Sequence, residues 1–67
     1  MEELLWASRV RAFRKLKGYT QESLADKMGI SVSILGQVER GSRIADEKFL
    51  DKVVEALGIT KEELQSG

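Results

Sequence analysis

Cysteine, histidine and proline are all absent from this sequence of 67 residues. Without cysteine there is no disulfide staple and no thiolate metal site. Without histidine the commonest general base and the commonest metal ligand are missing. Without proline no helix is broken by ring geometry. No apolar run approaches the roughly 20 residues that span a bilayer. The opening stretch, MEELLWASRVRAFRKLKG, has no basic segment ahead of a continuous apolar one, so a secretory leader is not expected. There is no Gly-rich phosphate loop and no group of carboxylates at metal spacing. The expectation is a cytoplasmic, non-enzymatic protein with no metal, cofactor, membrane partner or small-molecule ligand. The length fits one domain, residues 1–67, and a domain of this size buries only about 60% of its unfolded surface.

Net charge is missing as well, with 11 basic and 11 acidic residues. On its face that argues against nucleic acid as a partner. The total hides a distribution, however. Residues 1–43 carry eight basic and five acidic side chains, and residues 44–67 carry three basic and six acidic. The parts are thus +3 and −3, which is either a chance asymmetry or a basic face.

Strong helix formers dominate and no period-2 alternation is sustained, so the chain reads as all-α. A first helix is predicted over residues 2–17, with Trp6, Val10, Phe13 and the stem of Lys17 along one side and Leu16 flanking. A second is predicted over residues 21–28, capped by Thr20, with Leu24, Ala25 and Met28 inward. A third covers residues 32–40, capped by Ser31, with Leu35 and Val38 inward. A fourth covers residues 47–57, capped by Asp46, with Leu50, Val53, Val54 and Leu57 inward. Thr60 and Glu63 form a capping box for a short fifth helix ending near Gln65. Gly18, Gly29, Gly41 and Gly58 each fall just past a helix end, where a left-handed residue is needed.

The stretch QESLADKMGISVSILGQVER, residues 21–40, carries the function. Two short helices flank Gly29-Ile30-Ser31; small Ala25 lets them approach, and Leu24, Met28, Ile30, Leu35 and Val38 lock them together. This is a helix-turn-helix, with its second helix presented to the major groove. It resembles the motif of the phage-repressor (Cro/repressor, or Xre) family of bacterial transcription regulators, and its lambda repressor-like members in particular. The resemblance extends through Val10-Arg11, Phe13-Arg14 and Gly18-Tyr19-Thr20-Gln21 before the motif. After it come Glu39-Arg40-Gly41, Arg43, Ala56-Leu57-Gly58-Ile59-Thr60 and Glu63-Leu64, with no gaps from Val10 to Leu64. It implies a compact five-helix fold and sequence-specific DNA binding. The alternative is a protein-interaction module that keeps the fold without specific DNA binding; zero net charge and the apolar Val32 and Ile34 favour it.

Two positions depart from the family pattern. Ala45 stands where proline is usual, and Gly36 stands where many members have a polar residue. A glycine inside a helix costs about 1 kcal/mol relative to alanine. Gly36 is either a tolerated defect or a bare stretch of backbone that admits DNA closely.

Leu35 and Val38 point inward, so helical geometry turns Val32, Ser33, Gly36 and Gln37 outward, with Arg40 one turn on. The resemblance implies base readout at Val32, Ser33 and Gln37, and Gly36 shares their face. Glutamine can pair bidentately with adenine, serine is weakly selective, and valine offers only apolar contact with a thymine methyl. Gln21, Arg40, Ser42 and Arg43 are the expected phosphate contacts. Thr20 is read as a cap, Tyr19 and Ile34 as core. In related repressors the residues matching Arg14 and Glu39 form an ion pair between the first and third helices, so a structural pair is expected. The resemblance also implies a homodimer through the fifth helix and the end of the fourth. Leu4, Leu5 and Trp6 are a second candidate surface. Double-stranded DNA, with a palindromic operator, is the expected partner.

Overall fold

Gly29 shows how the chain turns between helices. Its φ is +74°, a conformation in which a Cβ would be strained. Its N–H donates to the carbonyl of Asp26 (3.1 Å), and the N–H of Ile30 donates to that of Ala25 (3.0 Å). These two bonds satisfy carbonyls that a helix end leaves open. The same pairing closes three further helices at Gly18, Gly41 and Gly58, as the glycine positions predict.

The computed structural model describes the backbone of residues 2–66 and the side chains of residues 6–65. Among them the order is α1 (Glu2–Leu16), α2 (Gln21–Met28), α3 (Val32–Glu39), α4 (Glu47–Leu57) and α5 (Lys61–Ser66), and no strand is present. The chain is therefore all-α. No described helix is long and apolar enough to cross a membrane.

The helix starts follow their caps. Thr20 Oγ1 accepts from the N–H of Ser23 (3.0 Å), Ser31 Oγ from Ile34 (3.2 Å) and Asp46 Oδ1 from Phe49 (2.8 Å). The box at α5 has both bonds, Thr60 N–H to Glu63 Oε1 (2.9 Å) and Glu63 N–H to Thr60 Oγ1 (3.0 Å). A second box, unforeseen, starts α2: the N–H of Thr20 donates to Ser23 Oγ at 2.9 Å.

Two ends differ from expectation by one residue. α1 stops at Leu16 because Gly18 and Tyr19 already turn back, donating to the carbonyls of Lys15 and Arg14 (both 3.0 Å). Lys17 is therefore exposed rather than laid along the apolar stripe, and Leu16 is 75% exposed. The buried side of α1 is Ala7, Val10 and Arg14, with Trp6 and Phe13 half-buried beside them. α3 ends at Glu39, and Arg40 is its C-cap.

The core draws on every helix: Val10, Leu24, Leu35, Val38, Val53 and Leu64 are fully buried. α4 buries Leu50, Val53 and Leu57 as expected, and also Phe49 and Ala56, while Val54 is half-buried. α3 packs on α2 and α1, α2 also touches α4, and α5 closes against α1 and α4. Lys61 ties α5 to α4 through Asp51 Oδ1 (2.7 Å) and Glu47 Oε2 (2.6 Å). Its hydrogen bonds to Asp51 and then Glu47 raise its pKa above the ordinary lysine value. This packing covers one side of α3 and leaves the other open.

Candidate nucleic-acid interface

The open side of α3 is set by its closed side. Leu35 and Val38 are 0% and 1% exposed, which turns the opposite residues to solvent. Val32 is 40% exposed, Ser33 is exposed and Gln37 is half-buried. Ile34 packs against the core, in keeping with its core reading.

Gly36 requires a correction. It is buried, so its backbone is not bare on this face. An ideal Cβ at this position would lie 3.1 Å from Arg40 Nη1, and 3.7 and 3.9 Å from Gln21 Oε1 and Nε2. The physical reason is that residues four apart share a helix face and long side chains lean back toward the N-terminus. Arg40 therefore lies over Gly36, and Gln21 reaches the same spot from α2.

Beneath this face Arg14 and Glu39 come together as a fork. Arg14 Nε donates to Glu39 Oε2 (2.8 Å) and Nη2 to Oε1 (3.0 Å). The two side chains are 9% and 2% exposed. Arg14 Nη1 also donates to the carbonyl of Tyr19 at 2.9 Å, tying the end of α1 to the start of α2. Gln21 joins the pair, its Nε2 donating to Glu39 Oε1 at 3.0 Å. Sequence spacing alone does not bring Gln21 to Glu39. The buried carboxylate thus receives three N–H donors and a matching charge, the condition under which a buried ion is tolerated.

Arg40, Ser42 and Arg43 are exposed and follow one another from the C-cap of α3 into the next loop. Arg43 Nη1 donates to Gln37 Oε1 at 3.4 Å, so these two expected contact residues sit side by side. Thr20 spends its hydroxyl on the cap of α2. Tyr19 is half-buried against the core, and its hydroxyl accepts from Lys27 Nζ at 3.0 Å. Across one face the chain thus offers two guanidiniums, two carboxamides and two serine hydroxyls. Guanidinium suits phosphate oxygens, and carboxamide or hydroxyl suits either phosphates or base edges.

Known proteins match this chain in sequence and in fold. Residues 10–64 fit the helix-turn-helix family HTH_3. The chain is 52% identical over 64 residues to the HTH-type transcriptional regulator YazB of Bacillus subtilis, covering 96% of this chain and 93% of that one. It is 36% identical over 53 residues to the HTH-type transcriptional regulator SinR of the same organism, covering 78% of this chain and 48% of SinR. The crystal structure of the restriction-modification controller protein C.AhdI from Aeromonas hydrophila has a TM-score of 0.88 at 36% identity, over 94% of this chain and 96% of that one. That of the clp gene regulator ClgR from C. glutamicum has a TM-score of 0.94 at 27% identity, over 98% and 86%. With its motif, its five helices and most of its length accounted for in this way, the chain belongs to the helix-turn-helix (HTH_3) family of Xre and lambda repressor-like transcriptional regulators, and is a DNA-binding protein rather than an enzyme.

Proposed function

We propose that this regulator lays α3 in the major groove, with Val32, Ser33 and Gln37 against base edges and Gln21, Arg40, Ser42 and Arg43 against phosphates. The observation that carries this reading is the exposed run of Arg40, Ser42 and Arg43 directly continuing the open face of α3. Cations there follow the backbone while the helix is in the groove. The buried Arg14–Glu39 pair sets the angle at which α3 is presented.

A single module of this kind buries about 600–1,000 Å² on DNA and reads few base pairs. A homodimer on a palindromic operator is therefore proposed, its half-sites about one helical turn apart. The dimer surface is either α5 with the end of α4, or the start of α1. Trp6 of the second surface is half-buried, and the side chains of Leu4 and Leu5 lie outside the described residues. The place of action is the cytoplasm of a bacterium or phage-infected host, where the DNA is.

Binding to DNA selected from a random pool, followed across salt concentration, tests the reading. The log of the binding constant should fall with log salt at about −0.9 per phosphate engaged. A flat profile would sink it.

A further inference from the structure

We propose that Gly36 is a seat for the Arg40 guanidinium, and that the seated Arg40 and Gln21 form one clamp for a single DNA phosphate. The proposal rests on the DNA-binding face described above and assigns Gly36 a role that is neither base contact nor defect. Three observations carry it. Gly36 is buried although it lies on the outward side of α3. What buries it is Arg40 Nη1, 3.1 Å from where a Cβ would be, and the amide of Gln21, whose nearest atom is at 3.7 Å. The Gln21 amide is itself fixed, because Nε2 donates to Glu39 Oε1 at 3.0 Å.

The chemistry of the spot suits an anion. The Glu39 carboxylate would repel a phosphate, but it is buried and its charge is matched by the bidentate Arg14. One N–H of the Gln21 amide is taken by Glu39 and the other remains to donate. Arg40 adds a charged fork of donors beside it, and guanidinium is well matched to phosphate geometry. An alanine methyl at residue 36 would force the guanidinium to give way by a few tenths of an ångström from its place over α3. The flexible end of an arginine can do this without disturbing the fold. On this view the missing side chain of Gly36 is the space the arginine occupies.

The test is a double-mutant cycle of Gly36→Ala and Arg40→Ala, read on two duplexes: one selected by the unmodified chain and one of random sequence. Gly36→Ala should melt higher than the unmodified chain, because alanine favours helix. It should nevertheless bind both duplexes more weakly, by roughly threefold, because a shift of a few tenths of an ångström weakens a charge-assisted contact without removing it. Arg40→Ala should lose about tenfold on both duplexes and about 0.9 of salt slope. The double variant should be no worse than Arg40→Ala alone. Additive losses, unchanged affinity for Gly36→Ala, or a loss confined to the selected duplex would overturn the seat. Absence of salt-dependent binding by the unmodified chain would instead overturn the DNA-binding face on which the seat depends.

Discussion

Arg14 of α1 grips Glu39 in the last turn of α3 through two bonds, Nε to Oε2 at 2.8 Å and Nη2 to Oε1 at 3.0 Å, with both side chains nearly out of water. Arg14 Nη1 holds the Tyr19 carbonyl, so one guanidinium joins the end of α1, the start of α2 and the end of α3. Losing either partner strands the other. Arg14→Met should lower stability by about 3–5 kcal/mol, since Glu39 remains buried without its counter-charge. At about 4–8 °C per kcal/mol for a domain of this size, that is a fall of roughly 12–40 °C in Tm. Replacing both, Arg14→Met with Glu39→Leu, should recover much of the loss, because an apolar pair of similar volume has no charge to desolvate. Thermal unfolding by circular dichroism measures all three, with Gln37→Ala as a surface control expected within about 0.5 kcal/mol of the unmodified chain. Equal, small losses at Arg14 and Gln37 would deny the pair its structural role.

Gln37 and Arg43 are neighbours on the open face, joined by a 3.4 Å hydrogen bond, but their proposed tasks differ. The Gln37 oxygen keeps a second lone pair while accepting from Arg43, and its amide nitrogen stays free to donate. It can therefore still pair bidentately with adenine, a contact worth about 1–3 kcal/mol of discrimination. Selection from a random pool with Gln37→Ala should yield a different preferred base at one position of the half-site. Arg43→Ala should keep the preferred sequence, weaken binding to every duplex and reduce the salt slope by about 0.9. An unchanged preference for Gln37→Ala would remove it from base readout.

The start of α2 bears on the same face. Thr20 and Ser23, on either side of Gln21 in the first turn, exchange backbone-to-hydroxyl bonds of 2.9 and 3.0 Å. Thr20→Ala should lose about 1 kcal/mol, or roughly 4–8 °C in Tm. The loosened first turn should also free the Gln21 amide from Glu39, so affinity should drop on all sequences alike. Comparing Tm with affinity on random duplex decides it: a lowered Tm with full affinity would show that Gln21 needs no rigid support.

Much of this architecture was legible because it is local. A cap needs only the residue before the helix and the amides just inside it, so Thr20, Ser31, Asp46 and the Thr60–Glu63 box could be read directly. The left-handed turns at Gly18, Gly29, Gly41 and Gly58 are equally local. What escaped depends on distant partners. Phe49 and Ala56 are buried because α4 has neighbours on several sides, so its apolar arc is wider than one stripe. Lys17 fitted the periodicity of α1, but the bonds of Gly18 and Tyr19 end the helix before it. Gly36 sits on the outward face by spacing, yet its cover includes Gln21 from another helix. Family resemblance, not periodicity, pointed to the Arg14–Glu39 pairing, since spacing puts both inward without joining them.

The dimer is the remaining expectation, and the fold constrains how it can form. Leu57, Ile59 and Leu64 are 4%, 9% and 0% exposed, committed to the chain's own core. A surface on α5 and the end of α4 must therefore be largely polar, using residues such as Glu55 and Gln65, both exposed. A two-fold interface sets each patch against its own copy, so a new charge near the axis meets an identical charge. If α5 forms the dimer, Gln65→Arg should shift sedimentation toward monomer and abolish any dependence of Tm on protein concentration. It should also weaken binding to a duplex with two half-sites while leaving a single half-site unaffected. Leu64 is buried beneath this surface, so core stability should be nearly unchanged. Unaltered sedimentation would exclude this surface. Deletion of residues 1–5 would then test the start of α1, where loss of the dimer with the fold intact is the expected result.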